Sequence, residues 1–191
     1  MKLKPMMATL VMTATTMVAP AHAVNGFTIN IGNSDDDINL YRVAARFQWS
    51  KRWFEEGDWF LGGHYELGAA HMESDSAVFN TTGAAPNLQA VSFTPVFRLQ
   101  RNAYGSSRVA PFVEAGIGLA YLTKDRIQND SAPGADLGGH FQFENKLSAG
   151  VVFGKQQQYE ASVNYFHYSN AGIEQPNDGI DSFSLSFSMW Y

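Results

Sequence analysis

From residue 24 onward, apolar and polar side chains alternate along the chain in segments separated by polar breaks. Because successive side chains of a β-strand point to opposite faces, this period of two predicts strands with one apolar and one polar face. Each segment is about the length of a tilted strand that crosses a bilayer, ~9–11 residues, some with an overhang. We predict eight strands, at residues 25–32, 38–49, 58–73, 88–101, 108–122, 140–153, 158–169 and 181–191.

The two faces of these strands favour a membrane barrel over a soluble sandwich, although a sandwich also alternates. The apolar face carries large aromatic side chains in nearly every strand, and the final strand, which ends in Trp190 and Tyr191, resembles the last strand of outer-membrane barrels. The polar face carries charges that can pair inside a narrow lumen, namely Arg42, Arg46, Arg98 and Lys146 with Glu66, Glu114 and Glu144. We therefore predict an all-β fold, an eight-stranded antiparallel transmembrane β-barrel of the outer-membrane type.

The N-terminal residues predict export. A positive start, a short apolar stretch over residues 6–18 and the small residues Ala21 and Ala23 make residues 1–23 a secretory signal peptide, which leaves residues 24–191 as one barrel domain.

The formal net charge of −5 argues against a nucleic-acid partner, and the absence of cysteine excludes a thiolate zinc site or a cysteine nucleophile. No cluster has convincing metal-ligand spacing, so we expect neither a metal nor a cofactor.

The predicted connections alternate between short and long. Short turns are predicted near residues 50–57, 102–107 and 154–157. Longer loops, rich in residues that favour turns, are predicted near residues 74–87, 123–139 and 170–180. Since outer-membrane barrels have short periplasmic turns and longer extracellular loops, we expect the long loops to face the outside of the cell.

The last hairpin carries the candidate chemistry. His167 and Ser169 lie two apart, hence on one face of the seventh predicted strand with Cα atoms ~6.5–7 Å apart, and Asp181 begins the neighbouring strand. Counting by twos places all three on the apolar, outward face at the level of the outer leaflet. Two interpretations fit: a polar hairpin solvated by lipid headgroups, or a hydrolytic site in which His167 links a serine nucleophile to an orienting carboxylate.

The sequence also resembles the lipid A 3-O-deacylases of the PagL type over essentially the whole chain after residue 23. The shared segments include Leu40-Tyr41-Arg42, residues 92–97 and residues 111–118, and the most specific are HYSNAG from His167 and QPNDGI from Gln175. The resemblance implies an eight-stranded outer-membrane barrel that hydrolyses the ester-linked 3-hydroxyacyl chain at the 3-position of lipid A. The expected partners are thus lipopolysaccharide in the outer leaflet and outer-membrane lipids, with a homodimer left open.

The resemblance implies roles for particular residues. Ser169 is the expected nucleophile, His167 the general base and Asp181 the acidic partner, at a position where the family usually carries the longer Glu. An asparagine of the last loop is expected to stabilise the oxyanion, with Asn177 first and Asn170 second. Glu174 and Asp178 are weaker candidates for the acid, and the acyl chain is expected to pass residues such as Tyr165, Phe183 and Leu185.

The sequence leaves two rival functions open. One is a non-catalytic outer-membrane barrel that stabilises the envelope or presents its loops for adhesion, and the other is a barrel whose polar lumen binds a small ligand. Neither accounts for His167, Ser169 and Asp181 on an apolar face, where charged groups usually mark function.

Overall fold

The computed structural model describes residues 24–34, 36–75, 83–102, 109–130 and 134–191, so the predicted signal peptide lies outside the described residues. Within these ranges there are ten strands: β1 (Gly26–Ser34), β2 (Ile38–Gln48), β3 (Trp59–Ser74), β4 (Asn87–Arg101), β5 (Ala110–Leu122), β6 (Arg126–Ile127), β7 (Ala135–Asp136), β8 (Phe141–Phe153), β9 (Tyr159–Ser169) and β10 (Ile180–Trp190). The described part of the chain contains no helix that is long and apolar enough to span a membrane.

Eight of these strands form one closed antiparallel barrel in the order β1-β10-β9-β8-β5-β4-β3-β2. Closure is made by β1, which pairs with β2 on one side and with β10 on the other, where Phe27 faces Met189. The predicted fold class is confirmed, and every predicted strand boundary lies within two residues of the observed one. The short strands β6 and β7 form a separate hairpin in the connection between β5 and β8, which the alternation did not predict.

The outer wall of the barrel is apolar, as the alternation predicts. Side chains such as Ile31, Ile117 and Leu185 are 61%, 66% and 68% exposed, whereas their chain neighbours on the lumen face are largely buried. A continuous band of exposed apolar side chains is what a barrel surrounded by lipid tails requires.

The lumen is filled with paired charges in its middle and at the end that carries the short turns. The Glu66 carboxylate lies 3.0 Å from Arg42 and from Arg46 and 2.8 Å from Lys146. Sequence reasoning did not include Glu160, which lies 2.6 Å from Arg46 and also pairs with Arg98. Burial of these ions is tolerable because each charge has an opposite partner within hydrogen-bond distance.

The lumen is apolar at its other end, where the long loops lie; we call this end the loop end. Here the buried cluster includes Leu40, Met72, Leu88 and Leu122 of the long strands together with Ile127, Ala135 and Leu137 of the β6–β7 segment. Phe166 and Tyr168 of β9 belong to the same cluster and are fully buried. The hairpin therefore closes the loop end and packs directly behind the last residues of β9.

Candidate active site

His167 joins Ser169 and Asp181 on the outward face of the barrel at its loop end. Asp181 is the direct cross-strand neighbour of His167 in the β9–β10 pair. The imidazole Nδ1 lies 2.7 Å from Asp181 Oδ1, and Nε2 lies 2.8 Å from the Ser169 hydroxyl. Because a carboxylate only accepts, Nδ1 carries the proton and Nε2 is left to accept the proton of Ser169. The three predicted residues thus lie in one hydrogen-bonded chain, which is the geometry that a nucleophile, a base and an orienting acid require.

Asp181 reaches the imidazole although its side chain is one methylene shorter than that of a glutamate. The direct register between β9 and β10 brings the two Cα atoms face to face, so the short carboxylate spans the gap. The two alternative acids lie elsewhere: Asp178 accepts a 2.8 Å bond from the Asp136 backbone amide, and the Glu174 carboxylate lies beside Gly139. Of the three predicted acidic candidates, Asp181 is the one that hydrogen-bonds to His167 in the described part of the chain.

Ser169, His167 and Asp181 differ in how much of each is exposed. Ser169 is only 8% exposed, whereas the side chains of His167 and Asp181 are 32% and 54% exposed. Ser169 is the last residue of β9, and the 170–179 loop begins directly after it. Its hydroxyl therefore lies at the boundary between the apolar wall and the loop, with His167 on the more open side.

The two loop asparagines have different hydrogen bonds. The Asn170 side-chain amide donates to the backbone carbonyls of Leu137 and Glu174, at 2.8 and 3.0 Å, and it is buried. Its role is therefore to hold the loop against the β6–β7 segment. Asn177 accepts a 3.0 Å bond from the Asn170 backbone amide through Oδ1, which fixes the side chain and leaves its NH₂ group as a donor.

Gly179 lies against the imidazole, a contact that sequence reasoning missed. Its φ is +74°, a conformation that side-chain-bearing residues rarely adopt, and a Cβ there would lie 3.2 Å from His167 Cε1. The signal in the sequence was the Asn-Asp-Gly run before β10, which is typical of a turn that needs a left-handed residue.

Tyr165 contacts the site in a way that the sequence did not predict. Its hydroxyl donates a hydrogen bond to Asp181 Oδ1, the same oxygen that accepts the bond from His167. Its ring packs on Phe183, its cross-strand neighbour, with ring centroids 5.3 Å apart. Three residues of this site therefore come from alternate positions of one strand.

An apolar groove of about 570 Å³ begins beside the Tyr165–Phe183 pair and continues along the outer wall over β9, β8, β5, β4 and β3. The apolar side chains that line it are Leu61, Phe97, Leu99, Val113, Ala115, Leu147, Ala149, Val163, Tyr165 and Phe183. Leu185, the third predicted acyl-chain contact, is the cross-strand neighbour of Val163 and is exposed at the edge of this groove. The apolar surface therefore begins at the Tyr165–Phe183 cross-strand pair, the next pair on the same face after His167 and Asp181.

Known proteins resemble the chain over nearly its full length. The family model for lipid A 3-O-deacylase (PagL) matches residues 39–190. The chain is 31% identical over 188 residues to the lipid A deacylase PagL of Pseudomonas aeruginosa, covering 98% of each protein. It is 25% identical over 191 residues to the lipid A deacylase PagL of Bordetella bronchiseptica, covering 98% of this chain and 96% of that protein.

A crystal structure of the outer membrane enzyme PagL matches the fold with a TM-score of 0.72 at 29% identity, over 87% of this chain and 99% of that one. The barrel described above is thus an outer-membrane barrel, and the chain belongs to the lipid A 3-O-deacylase (PagL) family.

Proposed function

We propose that this barrel hydrolyses the ester that links a 3-hydroxyacyl chain to the 3-position of lipid A, with Ser169 as nucleophile. The observation that carries the proposal is the pair of hydrogen bonds through which His167 joins Ser169, at 2.8 Å, to Asp181, at 2.7 Å. The family's shared activity gives the reaction and the substrate class.

In the first half-reaction, Ser169 Oγ attacks the ester carbonyl while His167 Nε2 takes the hydroxyl proton. Asp181 accepts from Nδ1–H throughout and stabilises the imidazolium that forms. When the tetrahedral intermediate collapses, His167 gives its proton to the departing sugar oxygen, and the acyl group stays on Ser169. In the second half-reaction a water attacks this acyl-enzyme with His167 again as base, which releases a 3-hydroxy fatty acid and restores the serine.

The substrate approaches from the outer leaflet in this mechanism. With the long loops on the cell exterior, the outward face of His167 meets lipid at the level where lipopolysaccharide carries its ester bonds. The apolar groove beside Tyr165 and Phe183, and Leu185 at its edge, then accommodates the acyl chain. The partly exposed imidazole faces the membrane side, whereas Ser169 is buried. No cofactor takes part in these steps.

Asn177 is the donor that this mechanism assigns to the oxyanion, because the Asn170 side chain is already committed to two carbonyls. Replacing Asn177 by alanine is expected to lower kcat by about 10²-fold, in the range typical for the loss of one oxyanion donor. The measurement is steady-state release of 3-hydroxy fatty acid. Asn177→Asp is the matched isostere, because it keeps the acceptor for Asn170 N–H but loses the donor. Its kcat should therefore be at least as low as that of Asn177→Ala. Full activity of Asn177→Asp would exclude this role.

Gly179 is expected to set the position of the imidazole. In Gly179→Ala the added methyl group presses on His167 Cε1, and since a displacement of ~1 Å can reduce rates by about 100-fold, we expect a loss of ~10-fold or more. The matched control is Gly172→Ala in the same loop. Gly172 has a similar φ of +76°, but a Cβ added there would lie 3.6 Å from its nearest neighbour, the side-chain amide of Gln175. Equal losses in both variants would mean that backbone strain, and not the contact with His167, is responsible.

The proposal is tested with the purified barrel in detergent micelles that contain lipopolysaccharide. We expect release of one 3-hydroxy fatty acid per lipid A, and tandem mass spectrometry of the lipid product should place the loss at the 3-position. Absence of release, or release of an amide-linked or a secondary acyl chain instead, would refute the assigned reaction.

A further inference from the structure

Asp181 is held by a second donor besides His167. The Tyr165 hydroxyl and His167 Nδ1–H both donate to Asp181 Oδ1. Tyr165 precedes His167 by two residues and Ser169 by four, so all three side chains lie on the outward face of β9. The tyrosine is therefore directed at the orienting carboxylate by the same strand that carries the base and the nucleophile.

The phenol itself is well fixed. Its ring packs on Phe183 at 5.3 Å between centroids with an angle of 47° between the planes, and the two residues are cross-strand neighbours immediately below the His167–Asp181 pair. The ring has only two rotatable side-chain bonds, and in this packed position its hydroxyl is directed at Asp181. In contrast, the Asp181 side chain is 54% exposed, and the β-strand alone does not prevent it from rotating away from the imidazole.

We propose that Tyr165 is a positioning residue, which holds the short Asp181 carboxylate in the rotamer that orients His167. The inference rests on the proposed function, because it concerns the efficiency of the same site. A carboxylate near apolar surface also needs hydrogen bonds to remain charged and in place, and the phenol supplies one where lipid tails offer none. The tyrosine need not contact the reacting atoms to act in this way.

Tyr165→Phe removes only the hydroxyl and keeps the ring on Phe183. Since the orienting carboxylate becomes mobile but is not lost, we expect kcat to fall by about 10-fold, less than the ~100-fold that a 1 Å misplacement can produce. KM should stay within a factor of about two, because the groove keeps its apolar ring. The matched control is Tyr159→Phe on the same strand, where the ring packs on Phe187 and has no contact with Asp181; it should have wild-type kcat.

The decisive arm repeats Tyr165→Phe in an Asp181→Glu background. The extra methylene lets the carboxylate reach His167 from a different place, so the effect of the missing phenol hydroxyl should shrink to less than about twofold if it acts through residue 181. Folding of every variant is checked by its heat-modifiable migration on denaturing gels.

Three results would overturn the inference: an unchanged kcat in Tyr165→Phe, a change confined to KM, or the same loss in the Asp181 and Glu backgrounds. An inactive wild-type barrel in the same assay would instead overturn the proposed function. The two failures are therefore distinguishable.

Discussion

Replacing Ser169 by alanine is expected to lower the rate of lipid A deacylation by about 10³-fold or more while the barrel stays folded. Among the described residues, the hydrogen-bond partner of the hydroxyl is His167 Nε2 at 2.8 Å, which belongs to the site itself, so we expect the loss of the hydroxyl to leave the fold intact. Removing a nucleophile abolishes the covalent route and leaves only the slow attack of water that the remaining groups can promote. The measurement is single-turnover release of 3-hydroxy fatty acid from lipopolysaccharide in micelles.

The matched control for this variant is Ser162→Ala on the same strand. The Ser162 hydroxyl bonds to Ser186 at 2.6 Å and to Asn164 at 3.2 Å, well away from His167. We expect near wild-type activity from this control. If Ser169→Ala retained more than about a tenth of the wild-type rate, a serine nucleophile at this position would be excluded.

Neutralising Glu66 by Glu66→Gln is expected to destabilise the barrel by about 3–5 kcal/mol, the typical effect of breaking a buried ion pair. Glu66 is fully buried and serves three cations at once: Arg42 and Arg46 at 3.0 Å and Lys146 at 2.8 Å. Without this charge the three buried cations lose an anionic partner that they share. Urea-induced unfolding in lipid vesicles, followed by tryptophan fluorescence, measures the change.

Glu73→Gln is the control for Glu66→Gln, since it makes the same chemical change on the same strand. The Glu73 side chain is 54% exposed, and its ion-pair contact is His71 at 3.9 Å. A surface change of this kind should shift stability by no more than about 0.5 kcal/mol. Equal stability of the two variants would show that the lumen network contributes little to holding the barrel together.

The barrel could be predicted from the sequence because its two faces meet different surroundings. Lipid tails outside and paired ions inside force a strict period of two, as in β10, where Phe183, Leu185 and Phe187 are exposed and the intervening serines are buried. The same parity count placed His167 and Asp181 on the outward face, and the structure adds the direct register between them.

Other features depend on contacts that a period of two does not encode. The strands β6 and β7 have two residues each and so show no alternation, yet their segment closes the loop end and receives the Asn170 side chain. The bond from Tyr165 to Asp181 depends on a rotamer choice and not on position along the strand, so Tyr165 was predicted only as a contact for the acyl chain. The resemblance already ranked Asn177 before Asn170, but a physical reason for that order, the occupation of the Asn170 amide by two backbone carbonyls, depends on the structure.

The intact-mass spectrum of lipid A from living cells tests the proposed reaction most directly. The barrel is produced in a bacterial host whose lipid A retains its 3-O-linked chain, with Ser169→Ala at the same level in a parallel culture. Lipid A from cells with the wild-type protein should be lighter by one 3-hydroxyacyl group, and lipid A from cells with Ser169→Ala should be unchanged. Identical acyl patterns in the two cultures would contradict deacylation by Ser169.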